Sequence, residues 1–153
     1  DITEVSIVDS IEKCLQVQRD VAATRRIALR IHPPESPILV LGDEEGVRTV
    51  LGNLIDNAIK YTPEGGSVDV AWKQEGEHVA ISVQDTGLGI PQSAQERIFE
   101  RFYRVDKARS REMGGTGLGL SIVKHTVQAM NGSVTVESQV GEGSKFIVRL
   151  PRG

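Results

Sequence analysis

Cysteine is almost absent: Cys14 stands alone among 153 residues. That excludes an internal disulfide and a multi-cysteine zinc site, and it fits a reducing compartment. A basic excess is also missing. Lys and Arg total 18 against 21 Asp and Glu, a net charge of −3. A dedicated nucleic-acid binder usually carries the opposite balance. No apolar run approaches the roughly 20 residues that span a bilayer, and no signal peptide is evident. No internal repeat or low-complexity linker divides the chain. His32, His78 and His125 have no second histidine or cysteine at ligand spacing, so a zinc site is not expected. No serine or cysteine stands in a motif with a base and an orienting partner.

What is present is a soluble, globular balance: 39% apolar and 25% charged residues. One domain over 1–153 is expected. A core of that size buries roughly two-thirds of the unfolded surface without a staple. The chain opens at Asp1 rather than methionine, which fits a piece of a longer protein. Sixteen glycines, mostly clustered, are the most informative feature.

Hydropathy patterning predicts a short edge strand over 3–6, then a helix from Ser6 to about Thr24 with Ile7, Ile11, Leu15, Val17 and Val21 on its apolar face. Strands are predicted over 27–31 and 38–41. Asp43 reads as the N-cap of a long helix, Glu44 to Tyr61. A hairpin follows over 67–73 and 78–84. Residues 85–119 read mostly as loop, with a short helix near 92–99 after Pro91. A third main helix, Leu118 to Met130, ends at Asn131-Gly132. A last hairpin covers 133–138 and 145–150. This order predicts an α/β sandwich: a mixed, largely antiparallel sheet with about three helices on one face.

Three constellations suggest chemistry. Asn53, Asn57 and Lys60 fall in one stripe of the long helix, beside its apolar face. Amide oxygens suit Mg²⁺ and a lysine suits phosphate, although a solvated helix flank has the same pattern. Asp85-Thr86-Gly87-Leu88-Gly89-Ile90 follows an apolar strand. A carboxylate there can accept from an exocyclic amine, and the glycines admit a flat ligand. A plain glycine-rich turn reads the same way. Gly114 to Leu120 opens the third helix, where free N–H groups suit phosphate. It lacks the preceding strand of a dinucleotide fold and the Lys-Ser/Thr ending of a P-loop. Between the glycine runs lie Phe99, Phe102 and a basic segment containing Arg104, Arg109 and Arg111. The aromatics suit packing and the arginines suit a cover over phosphates.

The order of these segments resembles the catalytic, ATP-binding domain of two-component sensor histidine kinases, within the wider group that also includes DNA gyrase, the ninety-kilodalton heat-shock chaperones and the mismatch-repair ATPases. An asparagine box looks like 53–62, a first glycine box like 85–90, a phenylalanine box like 99–104 and a second glycine box like 115–120. Gly141-Glu142-Gly143-Ser144 matches a further glycine motif. The resemblance covers essentially the whole chain.

It implies a Bergerat-type sandwich with Mg-ATP held between helices and a flexible lid. Asn57 would ligate Mg²⁺, with Asn53 beside it. Lys60 would reach phosphate and Tyr61 would line the adenine. Asp85 would accept from the adenine N6 amine, with Gly87 and Gly89 making room. Gly115, Gly117 and Gly119 would hinge the lid. Arg104, Arg109 and Arg111 would make charge contacts. Ile90, Thr116, Leu118 and Ser144, within the matched motifs, complete the implied nucleotide-binding set.

The phosphoacceptor is missing. No histidine here is followed by the acidic residue and arginine that mark it in these kinases, so neither acceptor nor its base lies in this chain. The resemblance therefore implies a domain that presents the γ-phosphate to a histidine on a separate dimerisation domain. The histidine would then pass it to a response regulator. It also implies a cytoplasmic domain of a membrane-anchored bacterial kinase, homodimeric when intact and monomeric as this piece. An anti-sigma-type serine kinase and a non-catalytic nucleotide-sensing or docking module are the alternatives. Gyrase-like hydrolases carry a glutamate base where Asn53 stands, so hydrolysis far below the roughly 10 s⁻¹ enzyme median is expected.

Overall fold

The computed structural model describes residues 1–101, 103 and 119–153. Strand β1 (Thr3–Ser6) leads into helix α1 (Ile7–Thr24), and strands β2 (Ala28–His32) and β3 (Leu39–Gly42) precede helix α2 (Glu44–Lys60). Strands β4 (Ser67–Glu75) and β5 (His78–Asp85) follow. Helices α3 (Gln92–Gln95) and α4 (Gly119–Ala129) come next, then strands β6 (Ser133–Gln139) and β7 (Gly143–Pro151).

Local chemistry sets the helix ends. Ser6 Oγ accepts the Asp9 N–H at the start of α1, and Asp43 Oδ2 accepts the Gly46 N–H at 2.8 Å at the start of α2. At the far end of α2, Arg25 donates to the carbonyls of Ile59 and Thr62. That satisfies orphan acceptors with the charge the macrodipole favours. The stop after α4 is as predicted: Asn131 takes a φ of 62° and Gly132 donates to Val127 O.

Five strands form one sheet in the order β2-β4-β5-β7-β6; β2 and β4 run parallel and the other pairs antiparallel. The predicted edge strand does not join it. β1 pairs with β3 as a separate two-stranded sheet, a partnership that local patterning does not encode. Helices α1, α2 and α4 supply the layer packed on the sheet. Leu51, Leu54, Ile55 and Ile59 of α2 meet Val68, Val70, Val83 and Val148 in a single core with Val123 and Val127 of α4. All of these are at most 1% exposed.

Two expectations need correction. Val17 and Val21 do not belong to the buried face of α1; they are 70% and 44% exposed. The face in contact is Ile7, Ser10, Ile11, Cys14, Leu15 and Ala22, and Val17 lies about 200° around the helix from Leu15. The short helix ends at Gln95 instead of reaching 99. Beyond it Arg97, Glu100 and Tyr103 donate to carbonyls three residues back, a run of turns rather than a helix. Trp72 is 4% exposed because its position faces the helices with Val68 and Val70.

Candidate functional site

One end of the sheet carries a polar row on an otherwise apolar face. Val68, Asp85, Ser144 and Ser138 stand opposite one another across β4, β5, β7 and β6. Directly opposed residues share a face. The next row on that face, Val70, Val83, Phe146 and Val136, is wholly apolar. A buried aspartate and two serines at the rim of such a face point to a ligand end rather than to core.

Asp85 is 6% exposed. Its Oδ1 accepts two backbone N–H groups, from Gly87 at 2.9 Å and from Ser144 at 3.2 Å. Both bonds go to the same oxygen. Oδ2 has no hydrogen bond among the described residues, and it is not sealed from solvent. Burial pushes the carboxyl pKa above its ordinary value, opposed by the two N–H donors. Two bonds fix the plane of the group, so Oδ2 is an oriented acceptor in a weakly solvated setting.

The glycines beside it are there for space. A Cβ on Gly87 would collide with the carbonyl of Tyr61, at the end of α2. The same carbonyl accepts the Leu88 N–H at 3.3 Å, so the first glycine segment lies against the helix end. Gly89, with φ of 76°, has no room for a side chain against the Gln139 carbonyl. Ile90 packs on the core, and its N–H donates to Ser138 Oγ at 2.8 Å.

The α2 stripe is present as expected, at the edge of the buried face. Asn53 and Asn57 are half-buried. Asn53 donates to Thr49 O at 2.9 Å, which leaves its Oδ1 as an acceptor. A Cβ on Gly119 would sit 3.4 Å from that oxygen, so the start of α4 lies beside Asn53. The Asn57 amide makes no hydrogen bond to any described residue. Two amide oxygens one turn apart, one with no described partner, suit a hard cation. Lys60 is not extended toward a ligand: it pairs with Asp56 at 3.0 Å. Tyr61 is half-buried beside the first glycine segment.

Ser144 is more deeply placed than a ligand contact alone requires. It is 7% exposed, its N–H holds Asp85, and its hydroxyl meets Ser138 Oγ at 2.7 Å. Phe99 packs as expected, edge-on to Phe146 at 6.1 Å between centroids. The predicted positions Phe102, Arg104, Arg109, Arg111, Gly115, Thr116, Gly117 and Leu118 lie outside the described residues.

Residues 42–153 match the model of the histidine kinase-, DNA gyrase B- and HSP90-like ATPases. The chain belongs to this family. Within it, the similarity is to sensor histidine kinases. The sensor-like histidine kinase SenX3 of Mycolicibacterium smegmatis is 42% identical over 151 residues, covering 99% of this chain and 39% of SenX3. The chain thus spans about two-fifths of the length of that curated relative. The solved mycobacterial sensor histidine kinase MprB superposes with a TM-score of 0.86 at 32% identity, covering 98% of both chains. Full-length ShkA, solved in complex with AMPPNP, gives 0.86 at 30% identity over 100% of this chain and 31% of ShkA. The chain is a histidine-kinase ATPase domain, and these relatives do not favour the serine-kinase and docking-module alternatives.

Motif matching missed three groups in this kinase domain. Ser138 bonds to the segments on either side of Asp85. Gln95 donates to the carbonyls of Ile90 and Ser138, both at 3.0 Å. Thr86 Oγ1 accepts the Ser67 N–H at 2.9 Å and ties β4 to the first glycine segment. One signal was available for Ser138. In β6 the inward positions are Val134, Val136 and then a serine. A polar residue at an inward position is the informative exception.

Proposed function

We propose that this domain binds Mg-ATP and presents its γ-phosphate to a histidine on a separate dimerisation domain of a two-component sensor kinase. The observation that carries the reading is the Oδ2 of Asp85, which has no hydrogen bond among the described residues while two backbone donors hold Oδ1 and orient the group. An oriented, largely buried acceptor matches an exocyclic amine on a flat base, here the N6 amine of adenine. From there the triphosphate runs along α2 toward Asn57 and Asn53.

The amide oxygen of Asn57 would hold the Mg²⁺, with Asn53 beside it, and the ion would neutralise phosphate charge when bound. Lys60 supplies a mobile cation to the phosphates by releasing Asp56, a partly exposed partner at helical i,i+4 spacing whose pairing is weak. Gly119 lets the start of α4 approach Asn53 and the phosphates. Tyr61 lines the base. The phosphate contacts that the resemblance assigns to Arg104, Arg109, Arg111, Gly115, Thr116, Gly117 and Leu118 fall on positions outside the described residues. The domain's contribution to phosphoryl transfer is positioning and charge neutralisation. In the intact kinase the acceptor histidine belongs to a homodimer's dimerisation domain, and the phosphoryl group passes on to an aspartate of a response regulator. Among the described residues no helix is long and apolar enough to cross a membrane.

Calorimetric titration with a non-hydrolysable ATP analogue, with and without Mg²⁺, tests this. Wild type is expected to bind more tightly with Mg²⁺. Asn57→Ala is expected to lose most of that Mg²⁺ dependence while still binding the base. A folded wild type that binds no nucleotide at millimolar concentration removes the assignment.

A further inference from the structure

Ser138 lies outside every motif that marks the site, yet its hydroxyl has no unused capacity. It accepts the Ile90 N–H at 2.8 Å, contacts the Gly143 carbonyl at 3.0 Å and the Ser144 hydroxyl at 2.7 Å. A serine hydroxyl has one proton and two lone pairs. The Gly143 carbonyl can only accept, so the Ser138 proton goes there. The Ile90 N–H can only donate, so it takes one lone pair. The second lone pair is then filled by the proton of Ser144. Every other assignment leaves either two oxygens or two hydrogens facing each other.

This accounting fixes the direction of Ser144. Its proton points away from Asp85 toward β6, and its hydroxyl makes no other hydrogen bond among the described residues. Ser144 and Asp85 are register partners on one face. That face therefore offers two acceptors side by side: Asp85 Oδ2 and the lone pairs of Ser144 Oγ. Gln95 braces the arrangement by holding the Ile90 and Ser138 carbonyls together.

We propose that Ser138 is a positioning residue for base selectivity. By taking the Ser144 proton, it leaves both Asp85 Oδ2 and Ser144 Oγ as acceptors toward the 6-position of the base, where a 6-amino group can donate and a 6-oxo group cannot. The proposal rests on the reading of Asp85 as the base acceptor. Remove Ser138 and the Ser144 hydroxyl turns freely, so that it can donate to a 6-oxo group.

The test is calorimetric affinity for ADP and for inosine diphosphate with Mg²⁺, on the 153-residue chain. Neither ligand undergoes turnover. Wild type is expected to prefer ADP. Ser138→Ala is expected to narrow the ADP-to-IDP ratio by about 3- to 10-fold, the range of one hydrogen bond. Ser138→Thr, which keeps the hydroxyl, is expected to retain the ratio within about two-fold. Ser144→Ala leaves the Ser138 bonds to Ile90 and Gly143 in place, so it serves if Ser138→Ala does not fold; it should narrow the ratio likewise. An unchanged ratio in these alanine variants, even with both nucleotides weakened equally, leaves Ser138 a purely structural role and overturns the proposal. A wild type with no preference instead removes the Asp85 reading, and the proposal with it.

Discussion

Asp85→Asn is expected to weaken ATP binding by about 30- to 100-fold, or about 2–3 kcal/mol, in a protein that remains folded. The geometry dictates how the asparagine sits. The Gly87 and Ser144 N–H groups both point at Oδ1, so the amide oxygen must occupy that position. Its NH₂ group is then forced into the place of Oδ2. A donor now faces the donor amine of adenine, and neither side finds a partner. Loss of a hydrogen bond alone would cost less. The fold should not suffer, because burial already works against the charged carboxylate. The asparagine removes that desolvation cost, so the midpoint of thermal unfolding should hold or rise at neutral pH.

The same shift has a pH signature. A carboxyl pKa raised on folding means the folded state takes up its proton first. Asp85 therefore favours the folded state once protonated, and that advantage is lost as pH rises through the raised value. Nucleotide affinity runs the other way. It needs the ionised acceptor, so it falls as pH drops toward the raised pKa, beginning above the ordinary carboxyl value of 3.8. Titrations of wild type against Asp85→Asn across mildly acidic pH check this. A parallel pH dependence in both proteins assigns the effect to another group.

The second large effect is expected at Gly143. Its φ is 116°, and a Cβ there would fall on the Asp85 carbonyl oxygen and come within 3.0 Å of Thr86 Cα. Backbone on both sides leaves nothing flexible to give way. Gly143→Ala is expected to cost about 3 kcal/mol or more from strain plus overlap, lowering the unfolding midpoint by roughly 6–12 °C in a domain of this size. It should also displace the Ser144 N–H from Asp85 and weaken nucleotide binding. Gly141→Ala is the control. It shares a positive φ, 84°, but its Cβ would meet nothing within 4 Å. Conformational strain alone predicts about 1–2 kcal/mol there. Equal losses at the two positions would show that close approach contributes nothing at Gly143.

Much of the site was legible before any fold was known, because its chemistry is local in sequence. Asn53 and Asn57 are one helical turn apart, so helix geometry alone puts them together. Asp85, Gly87 and Gly89 are nearly consecutive, and a strand ending in glycines announces a close approach. The reading failed where a second segment supplies the partner. Val17 and Val21 are apolar at acceptable spacing, yet the face that α2 covers is another one. Ser138 lies 53 residues after Asp85 in the chain and acts through Ser144, so no motif window contains both.

The sequence by itself determined the elements and the chemical inventory: which stretches coil or extend, where they stop, and which amides, carboxylate and glycines lie at their ends. Those depend on periodicity, capping and backbone freedom, which act over a few residues. Tertiary structure decided which acceptors are already used. Strand register lines up Val68, Asp85, Ser144 and Ser138 in one row. Two backbone donors then occupy one oxygen of Asp85 and leave the other without a hydrogen bond among the described residues. Hydrogen-bond capacity is finite, so the free acceptor is defined only once every neighbour has taken its share, and those neighbours meet only in the folded chain.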